Sequence, residues 1–300
     1  MTEADFLAVL RTLLLHPGAR GLTDDTATLA GLVVTTDTLV EGIHFLARDP
    51  PQDVAWKLLA TNLSDLAAKG ALVEGILLNY PIRDDAWDRA FLAGFGEALR
   101  SFDAPLIGGD TVSLPAGAPR VLTLTAFGRD AAAPSRRDAK AGDILWVTGT
   151  IGDAGAGLAI AQGAPDSPAL LAAYRRPAPR LAEGRALAPH VHAMMDVSDG
   201  LLLDAQRMAA ASGLAIAIDL AAVPLSDAYR AYGGTPLDAA TAGDDYELLF
   251  AAAPGFAPPV PATAVGRFAH GAGLTLHESG SSVALPPKLG FQHACASPVP

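Results

Sequence analysis

A single cysteine, Cys295, occurs in the 300 residues, so neither an intrachain disulfide nor a cysteine-rich metal site is available. That scarcity fits a reducing compartment. Lysine is nearly as rare: Lys57, Lys69, Lys140 and Lys288 are the only four among 21 basic residues. No G-x-x-x-x-G-K-S/T loop occurs, which excludes a P-loop nucleotidase, and no D-x-D/N-x-D/N-G calcium loop occurs either. Positive charge is short overall, with 32 acids and a net charge of −11, so a general nucleic-acid binder is excluded and small molecules are the expected partners. No uncharged apolar run reaches the roughly 18 residues that span a bilayer, "MAAASGLAIAI" being cut by Asp219. The N-terminal "MTEADFLAVLRTLLLHPG" lacks the basic start of a signal peptide and reads as an amphipathic helix. A soluble cytoplasmic protein without a membrane partner is expected.

Half the residues are hydrophobic, which suffices for two cores, and the length favours two domains of about 100 to 200 residues. Strand-like runs appear at "GLVVTTD", "ALVEGILLNY", "APLIGGD" and "VLTLTAFG". Between them, Trp87, Phe91, Phe95 and Leu99 recur every four residues and predict one apolar face of a helix. After the polar stretch "AFGRDAAAPSRRDAKAGD" a second series begins at "DILWVTGTIG" and runs through a Gly-rich turn, the helix "DGLLLDAQRMAAAS" and the strands "LAIAIDL" and "YELLFAAAP". The boundary is placed near residue 138, giving domains 1–137 and 138–300. From "GAGLTLHESG" onward the chain reads as loops and edge strands.

Acids recur beside Gly, Ser, Thr or a second Asp: Asp24 and Asp25 in "GLTDDTATL", Asp37 in "TTDT", Asp65 in "NLSDLAAKGA", Asp110 in "GGDT", Asp196 and Asp199 in "DVSDG", Asp244 and Asp245 in "AGDDYELLF". Taken singly, "LSD" and "VSD" read as helix starts, with Ser64 or Ser198 capping free N–H groups, and "GGDT" reads as a turn. Taken together, so many carboxylates in one cleft repel one another unless a hard cation neutralises them. Mg²⁺, held by one or two acids plus substrate phosphates, fits better than Ca²⁺. Phosphates would then meet Mg²⁺ and the helix N-termini expected after "LSD", "VSD" and "TIGDAGAG", since three of the four lysines lie outside the glycine-rich and acid-bearing turns and Lys69 follows the "SDLAA" helix start by several residues. His44 is either a structural histidine or a substrate contact, and Cys295 is most simply a packed residue.

The ordered segments "DDTATL", "VVTTDTLVEGIHF", "NLSDLAAKGA", "GGDT", "VTGTIGDAGAGL", "MMDVSDGLLLD", "GDDYELLF" and "GFQH" resemble the thiamine-monophosphate kinase family, within the ATP-binding superfamily that includes aminoimidazole ribonucleotide synthetase. The resemblance implies a two-domain α/β fold of α+β type, with an N-terminal domain that forms a β-barrel across a homodimer and a C-terminal α/β domain. It implies direct in-line, Mg²⁺-assisted transfer of the γ-phosphoryl group of ATP to thiamine monophosphate, with several Mg²⁺ ions. Asp25, Thr35, Thr36, Asp37, Asp65, Asp110, Asp196 and Asp199 are the implied metal ligands, with Asp65 and Asp199 closest to the chemistry. Gly109, Asp110, Arg136 and Ser198 are the implied ATP contacts; His44, Asp245 and Phe291 are the implied thiamine-side contacts. The chain departs from the family pattern at Thr23 (usually Gly), Lys69 (usually Met), Asp244 (often Glu) and after His293, where a phenylalanine is usual. The other readings are a selenophosphate synthetase-like or hydrogenase-maturation dehydratase-like enzyme, both of which want a cysteine placed differently from Cys295, and a catalytically silent nucleotide-binding protein.

Overall fold

β-Branched and leucine-rich runs alternate with helices from the start of the chain, and the alternation yields two sheets. The computed structural model describes residues 2–129, 133–165 and 167–293, the side chains of residues 3 and 4 excepted; Cys295 lies outside them. The first part comprises α1 (Glu3–Leu10), β1 (Ala27–Leu29), β2 (Leu32–Val40), α2 (Pro51–Ala67), β3 (Leu72–Ile82), α3 (Asp85–Ser101), β4 (Leu106–Ser113) and β5 (Val121–Arg129). Its five strands run in the order β1-β2-β5-β3-β4, antiparallel except for β4 beside β3. The aromatic stripe of α3 packs as its spacing predicts, with Phe91 and Phe95 buried and Trp87 and Leu99 partly buried against the same core.

The second part comprises β6 (Ile144–Thr148), α4 (Asp153–Ala161), α5 (Pro168–Arg175), α6 (Leu181–Leu187), β7 (Ala193–Asp196), α7 (Leu201–Ala211), β8 (Leu214–Asp219), α8 (Asp227–Tyr232), α9 (Pro236–Thr241), β9 (Leu248–Ala252), β10 (Ala262–His270), β11 (Gly273–Glu278) and β12 (Ser281–Val283). Seven strands form a mixed sheet, β12-β11-β8-β10-β6-β9-β7, in which only β11 and β8 run parallel. The architecture is thus a two-domain α/β fold. Both sheets are open, and no closed barrel forms within one chain among the described residues. No described helix is long and apolar enough to cross a membrane.

Helix α2 joins the two parts. Pro51 occupies its first turn, where the missing N–H costs nothing, and Asp53 complements the dipole. It stops where Gly70 takes φ 64° and the Ala71 N–H returns to the Leu66 carbonyl (3.0 Å). Thirteen of its residues are buried, so it is covered nearly all round. One side rests on β2, β5 and α3. Its last turn enters a second cluster in which Ala67 and Ala68 meet Leu187, Met194, Leu248 and Phe250, each large side chain contributing roughly 1.5–3 kcal/mol by burial. The expected helix start at "LSD" is therefore corrected: Ser64 and Asp65 lie in the last turns of a helix that begins at Pro51.

The close approach of α6 to α2 depends on Gly184, where an added Cβ would lie 2.0 Å from the Ala67 carbonyl oxygen. Gly184→Ala is expected to lower the unfolding free energy by about 1–3 kcal/mol, as overpacking does. Urea denaturation of the variant beside the wild type measures this.

Candidate active site

A strand, a helix and a strand end deliver three acids to one place. Residues 35 and 37 of β2 share a face by the two-residue period, and that face meets α2. There the Thr35 hydroxyl donates to the Asp65 carboxylate, and the Asp37 N–H donates to the Asn62 side-chain oxygen (3.1 Å). From β7, Asp196 accepts from the Ser64 hydroxyl (2.6 Å). Asn62 and Ser64 thus fix two of the acids, although neither carries an obvious chemical signal in the sequence. The cleft above them encloses about 1100 Å³, and Asp37, Asp65, Asp196 and Asp199 reach its wall.

The electrostatics are those of an uncompensated cluster. Burial, reinforced by Asp25 and Asp199, raises the Asp37 pKa to about 6. Burial with Asp25 close by raises Asp196 to about 8, despite the Ser64 hydrogen bond. Asp65 is pushed well above the usual carboxylate range by burial and by Asp37, Asp196 and Asp25. One oxygen of Asp25, Oδ2, is buried without a hydrogen-bond partner. Lys69 Nζ lies 3.9 Å from it, beyond hydrogen-bond reach, and oxygen donors with raised pKa values beside it suit a hard divalent cation. No group of three His, Cys, Asp or Glu residues that could hold a metal ion is gathered among the described residues.

Thr36 borders the same cleft, although its hydroxyl donates to the Leu124 carbonyl (3.1 Å) of the neighbouring strand. Other expected residues lie elsewhere. Gly109 and Asp110 sit in the exposed edge strand β4. Asp110 is level with Thr38 through Asn79 and Thr123, three strand spacings or about 14 Å away. Gly109 is required there, since a Cβ would lie 1.9 Å from the Leu78 carbonyl oxygen. Arg136 donates to Asp25 (2.9 Å) and to the Thr23 carbonyl (2.6 Å).

One expected phosphate cradle is corrected: "LSD" is not a helix start. At the other two N-termini a carboxylate of the chain takes part of the donor set, while Ala154, Gly155 and Ser198 line the cleft. Asp204 accepts the N–H groups of Ser198, Asp199 and Gly200 at 3.0–3.2 Å, so Ser198 does not cap α7. Burial and Asp199 hold the Asp204 pKa at about 7. Asp245 accepts from the Gly152 N–H (2.9 Å) at the start of α4. Asp245 is thereby engaged away from the cleft wall, which its neighbour Asp244 reaches instead.

The lysines are also closer to the acids than their spacing suggests. Lys69 is fully buried and donates to Asp24 (2.6 Å) and the Met194 carbonyl (3.2 Å), while Arg20 pairs with the other Asp24 oxygen (2.8 Å). Burial would raise the Asp24 pKa, but Lys69 and the hydrogen bonds from Lys69 and Arg20 outweigh it, and the net shift is downward. Lys57 is buried against Asp244 (2.7 Å), Lys288 lines the cleft, and Arg207 pairs with Asp199. At the far side, His44 forms a ring cluster with His293 (5.3 Å between centroids) and Phe291 (6.5 Å). Burial and His293 lower the His44 pKa, and its Nδ1 accepts from the Val40 N–H (2.9 Å), which leaves Nε2 as the protonated nitrogen. The Phe291 N–H donates to the Asp199 carbonyl (2.9 Å), tying this cluster to the acid turn.

The chain matches the AIR synthase related protein N-terminal domain over residues 23–129 and the corresponding C-terminal domain over residues 140–278. It is 38% identical to a thiamine-monophosphate kinase of Caulobacter vibrioides, over 97% of this chain and 91% of that protein. It is 40% identical to the thiamine-monophosphate kinase of Escherichia coli, over 77% and 75% respectively. A solved structure of AaThiL complexed with AMPPCP and TMP superposes with a TM-score of 0.86 at 29% identity, covering 98% of this chain and 97% of that one.

The raised carboxylates give a signed pH dependence. Without divalent cations the folded state retains protons that the unfolded chain releases near pH 4, so the stability this provides is lost as pH rises through about 6 to 8. The lowered His44 acts oppositely, but only around and below its ordinary range. The melting temperature in EDTA is therefore expected to fall between about pH 7 and 8. Mg²⁺ is expected to raise it more at pH 8 than at pH 6, as scanning calorimetry at both pH values will measure.

Proposed function

Because the chain belongs to the AIR synthase related proteins and, within them, to the thiamine-monophosphate kinase family, we propose that it transfers the γ-phosphoryl group of ATP to thiamine monophosphate, giving thiamine diphosphate and ADP. Its family makes it a phosphotransferase. The observation that carries the reading is the set of buried, mutually repelling carboxylates Asp37, Asp65 and Asp196 under one cleft, a charge pattern that calls for cations bound together with phosphates.

In this reading an oxygen of the acceptor phosphate forms a bond to the γ-phosphorus as the bond to the β-phosphate bridge breaks, in line. Asp37, Asp65 and Asp196, with Asp25 and Asp199 beside them, are the residues that would hold Mg²⁺. When bound, it would screen the charge of the reacting phosphates. Thr35 and Ser64 hold the Asp65 and Asp196 carboxylates, and Asn62 holds the Asp37 backbone, before substrate arrives, which removes a reorganisation cost from the reaction. Asp245 and Asp204 take the Gly152 and Gly200 N–H groups at the starts of α4 and α7, which leaves the next backbone donors, Gly155 at the cleft among them, to share the phosphates with cations and Lys288. The cleft exceeds the usual 300–1,000 Å³ of a single small-ligand site, as a two-substrate reaction needs.

A homodimer is part of the reading. The unpaired edge strand β4 exposes Leu106, Ile107 and Val112, an apolar edge that a lone chain normally covers or charges. Gly109 and Asp110 lie on that strand, and a partner laid against it is what would bring a nucleotide within their reach.

Three measurements test this reading. Incubation with ATP, Mg²⁺ and thiamine monophosphate is expected to yield ADP and thiamine diphosphate in equal amounts; ADP formed equally without the acceptor would assign the chain to another reaction of the superfamily. Asp65→Asn should fold as the wild type does yet lose about 100-fold or more in turnover, since several kcal/mol of charge stabilisation goes with the ligand. Light scattering at micromolar concentration is expected to give about twice the 30.6 kDa chain mass, and a fully active monomer would remove the shared-edge picture.

A further inference from the structure

Lys57 is a buried ammonium whose contacts come from three separate segments. It projects from α2 and donates to the His44 carbonyl (3.1 Å) in the turn after β2. It also donates to Asp244 Oδ2 (2.7 Å) in the loop before β9, and lies 4.1 Å from the ring centre of Tyr174 in α5. An ammonium removed from water needs such partners, and the partners are fixed in return. The other oxygen of Asp244, Oδ1, accepts from the Tyr246 hydroxyl (3.0 Å). Both carboxylate oxygens are therefore held, one from each domain. The loop that carries them is itself unusual: Asp244 and Tyr246 take φ 71° and 52°, left-handed values that non-glycine residues adopt when their surroundings impose them.

This device faces the cleft. Asp244, Tyr246, His44 and Phe291 line the cleft, and His44 and Phe291 belong to its ring cluster. A carboxylate with spare lone pairs beside aromatic edges suits a flat, positively charged heteroaromatic ring, and the thiazolium of thiamine is one. We propose that Lys57 and Tyr246 are positioning residues for the acceptor, holding Asp244 and His44 around its cationic ring. The inference rests on the thiamine-monophosphate reading. Lys57 makes no described hydrogen bond to the acid cluster, and Tyr246 joins it only through its backbone, whose N–H donates to the Val197 carbonyl (2.8 Å), so removing the ammonium or the hydroxyl leaves that tie in place.

The experiment is steady-state kinetics of Lys57→Met, Lys57→Arg and Tyr246→Phe with each substrate varied separately. Lys57→Met and Tyr246→Phe are expected to raise KM for thiamine monophosphate about tenfold or more, with KM for ATP within about twofold of wild type. Lys57→Arg, which keeps charge and reach, should recover much of the loss. A general structural defect would instead lower the active fraction or shift both KM values together. Should Lys57→Met fail to fold, Tyr246→Phe, which removes one hydroxyl, carries the test alone. An unchanged KM for thiamine monophosphate in a folded variant, or an equal rise in both KM values, overturns the positioning role. A wild-type enzyme that shows no activity dependent on thiamine monophosphate overturns the underlying reading, and the inference with it, before any variant is made.

Discussion

Like charges brought together out of water set the terms for the rest of the molecule. Asp37, Asp65 and Asp196 converge from β2, α2 and β7; burial raises the pKa of all three, Asp37 and Asp196 add to the rise at Asp65, and Asp37 adds to that at Asp196. Such a cluster persists only if the scaffold holding it is stiffer than the repulsion is strong. Helix α2 supplies that stiffness. It is buried along most of its length, carries Asn62, Ser64 and Asp65 within one turn, and ends inside the hydrophobic joint with Leu187, Met194 and Phe250. The cost of gathering the acids is thus offset by apolar burial on the same helix, and cation binding then recovers what the repulsion withholds.

The basic residues follow from the same constraint. Lys69 and Arg20 neutralise Asp24, Arg136 takes one oxygen of Asp25, and Arg207 takes one of Asp199. The acids at the centre have only hydroxyl and amide partners. Protein cations therefore ring the cluster without entering it, and the centre stays available to a small hard ion. Lys69, where the resembling family usually has methionine, adds a buried charge on the rim, and Asp24 answers it with a lowered pKa.

Much of the fold could be read in the sequence because its signals are periodic. The stripe Trp87, Phe91, Phe95, Leu99 becomes the buried side of α3, and the Val- and Leu-rich runs become β2, β3, β5, β6, β8 and β9. The start of α2 was not legible from "LSD". Its true signal is the Pro50-Pro51 pair fourteen residues before Asp65, and the Ser-Asp dipeptide that imitates a cap is a hydrogen-bonding face turned toward β7. The exposure of Gly109 and Asp110 was equally hidden, because strand order depends on long-range pairing and "GGDT" contains no information about which edge it will occupy.

Adjacent identical residues show where local sequence stops being informative. Asp244 and Asp245 differ by one position, yet the left-handed backbone at Asp244 sends its carboxylate to the cleft and the next one to the N-terminus of α4. Asp204 acts likewise at the turn before α7. Both helix ends consume a carboxylate of the chain where a phosphate might have been expected, because a buried N–H group must be paired whether or not substrate is present. A site that spends part of its helix-end donors in this way has fewer of them to offer a polyphosphate. More of its affinity must then rest on the cations that the remaining carboxylates attract.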